Sequence, residues 1–232
     1  MYKYIKTAAE MIFDLGSEYG NCVPKNGKKL IFPLQKQPQK DEVKRISEQE
    51  LRQCFIDALN KSQHEYFYSV ETPTVHKYRK TGSRDISGNL DLCLYTFENG
   101  IIERKVCIEF KAHNMNSSYS FDLYKTTRES GNNLYYHLLR SMNNGTLTAS
   151  TNKRKGILVK LQKDLMSLDT HKIHSESLTI AVVCLSPRLL IYQRISKDAL
   201  INRSYNLIDL DYHINRKQLE TIDSKNWSVV IR

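Results

Sequence analysis

The fold of this 232-residue chain is decided by residues 90–112, which read LDLCLYTFENGIIERKVCIEFKA. Two runs in this stretch alternate between apolar and polar residues, and this pattern predicts β-strands at 90–97 and 101–111. The Asn-Gly pair between the runs is typical of a hairpin turn. The apolar residues of both strands must share one face of the sheet, because a slip of one residue would bury the polar set of one strand.

The alternation places three charged residues on the opposite face, namely Asp91 from the first strand and Glu109 and Lys111 from the second. This parity requires an odd number of loop residues, so we expect a loop of three or five residues instead of the two-residue Asn99-Gly100 turn. Two carboxylates can hold a hard cation such as Mg²⁺. A neighbouring lysine can position or help deprotonate a water molecule and can offset charge that develops on phosphorus.

The hairpin is embedded in a mixed pattern of helices and strands. A helix is predicted just upstream, because Ser47 and Glu50 form a capping box ahead of an apolar stripe. The order of elements predicts an α/β (α+β) fold, with a central mixed sheet flanked by helices. The other predicted elements, in chain order, are a helix at 3–16, a short strand at 30–34, a polar loop at 35–44, a strand at 66–70, helices at 120–129, 133–142 and 156–168, strands at 179–185 and 189–195, and in the tail a strand near Leu207, a short helix near Gln218 and a last strand at 227–231.

Asp91, followed by Val-Cys-Ile-Glu-Phe-Lys-Ala at 106–112, resembles the core motif of the PD-(D/E)XK nuclease superfamily, which has the restriction-endonuclease-like fold. The similarity covers about residues 45–195. The family core is a helix, three antiparallel strands, a crossover helix and a further strand or two. The resemblance implies that Asp91 is the motif aspartate, Glu109 the (D/E) residue and Lys111 the lysine. Leu90 stands where the motif often has proline.

This resemblance implies a Mg²⁺- or Mn²⁺-dependent nuclease that hydrolyses phosphodiester bonds, with DNA favoured over RNA. Asp91, Glu109 and the backbone carbonyl of Phe110 would hold the metal, and Lys111 would orient the attacking water. Many family members add a glutamate from the first core helix. Of the two candidates, we prefer Glu48 as an outer ligand, because Glu50 already has a place in the capping box and lies farther from the apolar stripe.

The charge distribution is consistent with a nucleic-acid partner. The chain has a formal net charge of +10, and its basic residues cluster at 76–84 and 153–163. Such patches suit a phosphate backbone, although they also suit a surface that is merely well solvated. The same two interpretations are open for the face of the helix after the motif. The predicted nucleic-acid contacts are Lys77, Arg79, Lys80, Arg84, His113, Lys125 and Arg128.

Residues 1–44 are expected to form a helical appendage and loop, and residues 45–232 the nuclease-like domain with additions at both ends of its core. The sequence shows no membrane-spanning stretch and no signal peptide, so we expect a cytoplasmic protein. Five cysteines without CxxC spacing predict reduced thiols. The absence of Walker, GxGxxG and GxSxG motifs gives no support to nucleotide hydrolysis, dinucleotide binding or α/β-hydrolase chemistry.

Two other classes of function remain open from the sequence. One is a non-catalytic nucleic-acid-binding or assembly module that keeps the nuclease fold. The other is an interaction protein whose basic charge only confers solubility, which would leave the shared parity of Asp91, Glu109 and Lys111 unexplained. An enzyme that cuts both DNA strands needs two active sites, and this favours a homodimer.

Overall fold

The computed structural model describes residues 1–17, 30, 32, 34–37, 40–44, 47–62, 66–79, 85–112, 117–139, 150–151, 154–155, 157–185, 188–205 and 228–231. Its helices are α1 (Tyr2–Ser17), α2 (Glu48–Lys61), α3 (Ser117–Arg128), α4 (Ile157–Ser167) and α5 (Lys197–Asn202), with a 3₁₀ turn at Thr170–Lys172. Its strands are β1 (Leu34–Gln37), β2 (Lys40–Lys44), β3 (Phe67–Arg79), β4 (Asp85–Glu98), β5 (Ile101–Ala112), β6 (Gly131–Leu139), β7 (Ser150–Thr151), β8 (Arg154–Lys155), β9 (Ser175–Leu185), β10 (Arg188–Ser196) and β11 (Ser228–Ile231).

The described strands form one large mixed sheet in the order β11-β10-β9-β6-β5-β4-β3. The β5–β6 and β6–β9 pairs are parallel, and the other neighbours are antiparallel. Two short hairpins, β1–β2 and β7–β8, lie outside this sheet. The α+β fold class with a central mixed sheet flanked by helices is therefore confirmed.

Helices α1 and α2 pack on one face of the sheet and α3 on the other. Phe55 of α2 meets Phe110 of β5 with ring centroids 5.6 Å apart, and the Tyr136 hydroxyl of β6 donates to the Ile5 carbonyl of α1 at 2.8 Å. Glu109 alternates with Phe110 along β5 and contacts Lys125 of α3. The strand pair that carries the motif is thus covered on both sides, which places its charged residues in a buried layer.

The β4–β5 hairpin has a tighter turn than the parity argument predicts. Glu98 pairs with Ile101, so Asn99 and Gly100 alone form the loop, with φ angles of 52° and 79°. Positive φ at both positions is the requirement of a type I′ turn, which Asn-Gly meets at low cost. The expected loop of three or five residues is therefore wrong.

A β-bulge farther along the hairpin restores the parity. Tyr95 pairs with Arg104, whereas the preceding residue, Leu94, pairs with Val106. Lys105 therefore has no partner on β4 and is the extra residue of the bulge. Beyond the bulge the apolar residues of β4 and β5 face each other again, and Asp91, Glu109 and Lys111 share a face as predicted. The prediction was right about the face and wrong about where the odd residue lies.

The bulge fits against the first residue of β6. Gly131 has a φ of 106°, and a Cβ atom at this position would overlap the carbonyl oxygen of Lys105. Two residues later, the Asn133 side chain accepts a hydrogen bond from the Cys107 backbone N–H at 2.9 Å. These contacts connect the start of β6 to the part of β5 that leads into Glu109.

Several predicted elements need correction. The helix predicted at 133–142 is wrong, because Gly131–Leu139 is the parallel strand β6. Leu134, Tyr135, Tyr136 and Leu138 are all buried, so the run lacks the alternation of a half-exposed strand. The predicted polar loop at 35–44 contains the β1–β2 hairpin. The strand predicted at 30–34 overlaps β1 only at Leu34, and residues 30 and 32 are not part of a strand. The elements predicted near Leu207 and Gln218 lie outside the described residues.

Helix α1 belongs to the main hydrophobic core. Tyr4, Ile5, Ala8 and Ile12 are buried in the same cluster as α2 and the central strands. Helix α1 therefore covers part of the core in the described structure. Leu90 was predicted to share the core face with the other aliphatic residues of β4, but its side chain packs with Cys93 and Cys107 instead.

The described cysteines agree with the expectation of reduced thiols. Cys54, Cys93 and Cys107 are buried free thiols. Within the described part of the chain, every helix is too short or too polar to cross a membrane.

Candidate metal and catalytic site

Asp91 lies in the middle of β4, beside Glu109 in the last part of β5. The register pairs Leu92 with Ile108, so one further step along the strands places Asp91 opposite Glu109. Asp91 Oδ2 accepts a hydrogen bond of 2.7 Å from the Phe110 backbone N–H. This bond fixes the orientation of the Asp91 carboxylate toward the second strand.

Lys111 lies among the acidic side chains that converge at this position. Its Nζ is 3.2 Å from Asp122 Oδ2, 3.3 Å from Glu109 Oε2, 3.7 Å from Asp91 Oδ2 and 3.7 Å from Glu48 Oε2. Only 8% of the Lys111 side chain is exposed, and only 1% of Glu109. In the described residues, four carboxylates from α2, β4, β5 and α3 thus surround one ammonium group.

At the start of α2, Glu48 and not Glu50 reaches the acidic cluster around Lys111. The Ser47 hydroxyl accepts a hydrogen bond from the Gln49 backbone N–H and donates one of 2.5 Å to Glu50 Oε2. Glu50 is therefore engaged at the helix cap, although it accepts from the Ser47 hydroxyl and not from the Ser47 backbone N–H that a capping box uses. Glu48 lies at the first position of the helix and reaches Lys111, so the structure brings it into the cluster.

Helix α3 adds two residues to the cluster. Asp122, which the sequence interpretation missed, contacts Lys111. Lys125 was predicted to contact nucleic-acid phosphate, but its Nζ lies 2.7 Å from Glu109 Oε1 and 3.1 Å from Asp122 Oδ1, and only 7% of its side chain is exposed. Lys125 therefore belongs to the interior of the site. The spacing of three residues between Asp122 and Lys125 shows that they share a helix face, but no sequence signal indicates that this face meets β5.

The electrostatics of the cluster are dominated by burial and by like charges. Burial raises the pKa of Glu109 to about 8, and the neighbouring charge of Asp91 adds to this effect, against the opposing influence of Lys111 and Lys125. Burial also raises the pKa of Glu48. Burial alone would lower the pKa values of both lysines, but the surrounding carboxylates outweigh it and raise them. Both lysines are therefore ammonium ions at neutral pH.

The chemistry of these side chains fits a divalent metal ion. Carboxylate oxygens are the donors that Mg²⁺ and Mn²⁺ prefer. With all six groups ionised, four negative and two positive charges leave a net charge of −2, which one divalent cation would balance. In the part of the chain that the structure describes, no group of three or more His, Cys, Asp or Glu residues is already arranged as a metal cage, and the lysine ammonium groups lie among the carboxylates.

The residues predicted to bind nucleic acid are distributed differently. Lys77 is exposed on β3, and Arg79 is the last residue of that strand, where its side chain is not described. Arg128 lies over the rings of Tyr78 and Tyr124, with its guanidinium carbon 5.9 and 5.3 Å from their centroids. Its Nη1 donates to the Tyr124 hydroxyl at 2.6 Å. The remaining predicted contacts, Lys80, Arg84 and His113, lie outside the described residues.

Two histidines, His76 from the predicted basic cluster and His174, lie close to Arg128. The rings of His76 and His174 stack with centroids 4.9 Å apart. Partial burial, followed by the charges of His76, Arg128 and Lys197, lowers the pKa of His174. These groups come from β3, α3, α5 and the segment before β9, so their proximity could only be seen in the fold.

Comparison with known proteins gives no match to a protein-family model, a curated protein or a solved structure. Function must therefore be inferred from the residues that meet at the site and from the order of the elements that carry them. Both are properties of this chain alone.

Proposed function

We propose that the protein is a metal-dependent nuclease that hydrolyses phosphodiester bonds, with DNA as its substrate. The observation that supports this most directly is the convergence of Glu48, Asp91, Glu109 and Lys111 from three elements around one buried position. The order of α2, β3, β4, β5, α3 and β6, with β5 and β6 parallel, is also the order that the resemblance to PD-(D/E)XK nucleases implies. Motif and topology thus support the same proposal.

Each residue of the cluster has a distinct part in this proposal. Asp91, Glu109 and the backbone carbonyl of Phe110 would hold Mg²⁺ or Mn²⁺, with Glu48 as an outer ligand. A divalent ion bound there would lower the pKa of a water molecule and polarise a phosphate oxygen. Lys111 is held as a cation by its acidic neighbours, so it would act by orienting the attacking water and by stabilising negative charge on the phosphoryl oxygens.

The surface charge supports a nucleic-acid substrate. The net charge of +10 favours association with a polyanion, and Lys77 and Arg128 offer basic groups on β3 and α3. Cleavage of both strands would require two such sites, for which a homodimer is the simplest arrangement. A cytoplasmic location is part of this proposal.

The test is nicking of supercoiled plasmid DNA in Mg²⁺ or Mn²⁺. We expect nicking by the native chain, no nicking in EDTA, and a loss of at least about 100-fold in Lys111→Ala. Lys172→Ala is the matched control, because Lys172 is exposed and pairs only with Asp169 among the described residues. It should nick like the native chain.

Two outcomes would contradict the proposal. Activity that persists in EDTA or in Lys111→Ala would show that this cluster does not cleave DNA. Salt-sensitive DNA binding without nicking, in either metal, would instead favour the non-catalytic nucleic-acid-binding module.

A further inference from the structure

Lys125 is anchored more firmly than an ordinary helix-surface lysine. In addition to its contacts with Glu109 and Asp122, its Nζ donates a hydrogen bond of 2.8 Å to the Asn89 carbonyl of β4. The ammonium group is therefore fixed on three sides, by two carboxylates and one backbone carbonyl. An exposed lysine that awaits a phosphate would have no such set of partners.

Strand β4 also makes space for the stem of Lys125. A Cβ atom at Gly88 would lie only 3.0 Å from Lys125 Cδ. The Gly88 backbone N–H donates to Thr74 Oγ1 at 3.1 Å, so the backbone cannot easily move away from the stem. The fold thus buries this side chain in a slot that ends at the Glu109 carboxylate.

The two lysines share the same pair of carboxylates. Glu109 presents Oε2 to Lys111 at 3.3 Å and Oε1 to Lys125 at 2.7 Å. Asp122 presents Oδ2 to Lys111 at 3.2 Å and Oδ1 to Lys125 at 3.1 Å. Lys111 also contacts Glu48 and Asp91, whereas Lys125 contacts neither among its described ion pairs. Lys125 thus contacts the two carboxylates of Glu109 and Asp122 that Lys111 also contacts.

We infer that Lys125 is an internal counter-cation and positioning residue, which holds the Glu109 and Asp122 carboxylates in place and competes with the divalent ion for Glu109. The inference rests on the proposed function, because it assigns Lys125 a part in the same site. Its ammonium group keeps two buried carboxylates oriented before the ion arrives. The same charge repels the ion, so the site gives up part of its affinity for metal in return for a fixed geometry.

This role predicts that two measurable quantities change in opposite directions. Replacing Lys125 with the apolar, similarly long methionine removes one positive charge from the cluster. A unit charge at this range shifts ionic equilibria by one or more orders of magnitude, so Mn²⁺ should bind about tenfold more tightly or better. Turnover should fall about 10- to 100-fold, because Glu109 loses the group that orients it.

The experiment measures Mn²⁺ affinity by titration calorimetry and plasmid nicking for the native chain, Lys125→Met, Lys125→Arg and the control Lys172→Met. Lys125→Arg keeps the charge, so it should keep native Mn²⁺ affinity and recover part of the turnover. The control should match the native chain in both assays. Unchanged or weaker Mn²⁺ binding by folded Lys125→Met would overturn the inference, because a lysine that only fills space would have no effect on metal affinity.

A double variant keeps the test decisive if Lys125→Met does not fold. Asp122→Asn combined with Lys125→Met removes one charge of each sign and so leaves the charge balance of the cluster unchanged. Its Mn²⁺ affinity should stay within about threefold of the native value, while its turnover stays low. Full turnover of this variant would overturn the inference. If Lys125→Met binds Mn²⁺ more tightly but the native chain does not nick DNA, the counter-cation role is upheld and the nuclease proposal is refuted. If the native chain nicks DNA but Lys125→Met does not bind Mn²⁺ more tightly, the nuclease proposal is upheld and the counter-cation role is refuted.

Discussion

Glu109 and Glu129 are two buried glutamates whose pKa values are shifted in opposite directions. Side-chain exposure is 1% for Glu109 and 0% for Glu129. Burial raises the pKa of Glu109 to about 8. Burial also opposes ionisation of Glu129, but hydrogen bonds from Tyr78 and from the backbone, together with Arg104, outweigh it and lower its pKa.

The difference lies in the partners of each carboxylate. Glu129 Oε1 accepts hydrogen bonds from the Tyr78 hydroxyl and the His76 backbone N–H, and its Oε2 from the Val75 backbone N–H and Arg104 Nη2, at 2.5 to 3.2 Å. Glu109 instead faces Asp91 and Asp122 as well as two lysines. A fully partnered buried charge stabilises a fold, whereas a charge left with like neighbours is typical of a functional site.

The largest expected effect is a loss of folding stability when Glu129 is replaced. Glu129→Gln should lower the free energy of unfolding by about 3 to 5 kcal/mol, because it breaks a buried ion pair and leaves Arg104 without its carboxylate. Urea denaturation at pH 7 measures this. Glu103→Gln is the control, since Glu103 is exposed, and should change stability by less than about 0.5 kcal/mol. Equal losses in both variants would remove the distinction drawn for Glu129.

The next largest expected effect is the stabilisation of the fold by a divalent metal ion. Mg²⁺ or Mn²⁺ should stabilise the native chain by about 2.7 kcal/mol at a hundredfold excess over the dissociation constant, because an ion held by Asp91 and Glu109 binds the folded chain and not the unfolded one. The melting temperature should rise accordingly, and Asp91→Asn or Glu109→Gln should abolish the rise. A melting temperature that stays constant up to millimolar Mn²⁺, in a well-folded native chain, would count against a metal site at these residues.

A third effect concerns pH in the absence of metal. Because the folded-state pKa of Glu109 is raised from 4.5 to about 8, its contribution to stability is fully present below pH 4.5 and is lost as the pH rises toward 8. The slope should reach at most about 1.4 kcal/mol per pH unit. Melting temperatures in EDTA between pH 5 and 8 should fall for the native chain and fall less for Glu109→Gln. Parallel curves for the two chains would show that Glu109 does not titrate in this range.

The smallest effect tests one partner of Glu129. Tyr78→Phe removes a hydroxyl that donates to the carboxylate at 2.5 Å while leaving three donors in the described structure. We expect a loss of about 1.5 kcal/mol, the usual contribution of a hydrogen bond to a charged group. Tyr68→Phe on the exposed part of β3 should have no measurable effect in the same urea titration. A loss as large as that of Glu129→Gln would mean that Tyr78 acts mainly through packing.

The sequence was sufficient to predict the face that Asp91, Glu109 and Lys111 share, because strand alternation and the burial of aliphatic residues leave a single solution. It also favoured Glu48, since the capping box already engages Glu50. It was not sufficient to locate the bulge, because Lys105 carries no local signal that distinguishes it from its neighbours. The strand β6 was mistaken for a helix because a strand buried on both faces loses its alternation.

Helix α3 shows a second limit of sequence interpretation. The spacing of Lys125 and Arg128 correctly placed them near one another, but it carried no information on which neighbours the helix face meets. Lys125 meets Glu109, and Arg128 meets aromatic rings. Asp122 was missed for the same reason, since an acid on a helix is ordinary until β5 is packed beneath it.

The contact between Gly131 and the carbonyl of Lys105 has a consequence for how this protein can evolve. A side chain at position 131 is excluded while the bulge is present, and loss of the bulge would shift the register of the hairpin by one residue and turn Glu109 away from Asp91. The glycine at position 131 and the bulge residue at position 105 therefore constrain each other. We expect descendants of this sequence to keep both the extra residue and the glycine, or to lose both together with the cluster. Insertions or deletions in the hairpin should accordingly be confined to the tip beyond the bulge, around Asn99 and Gly100.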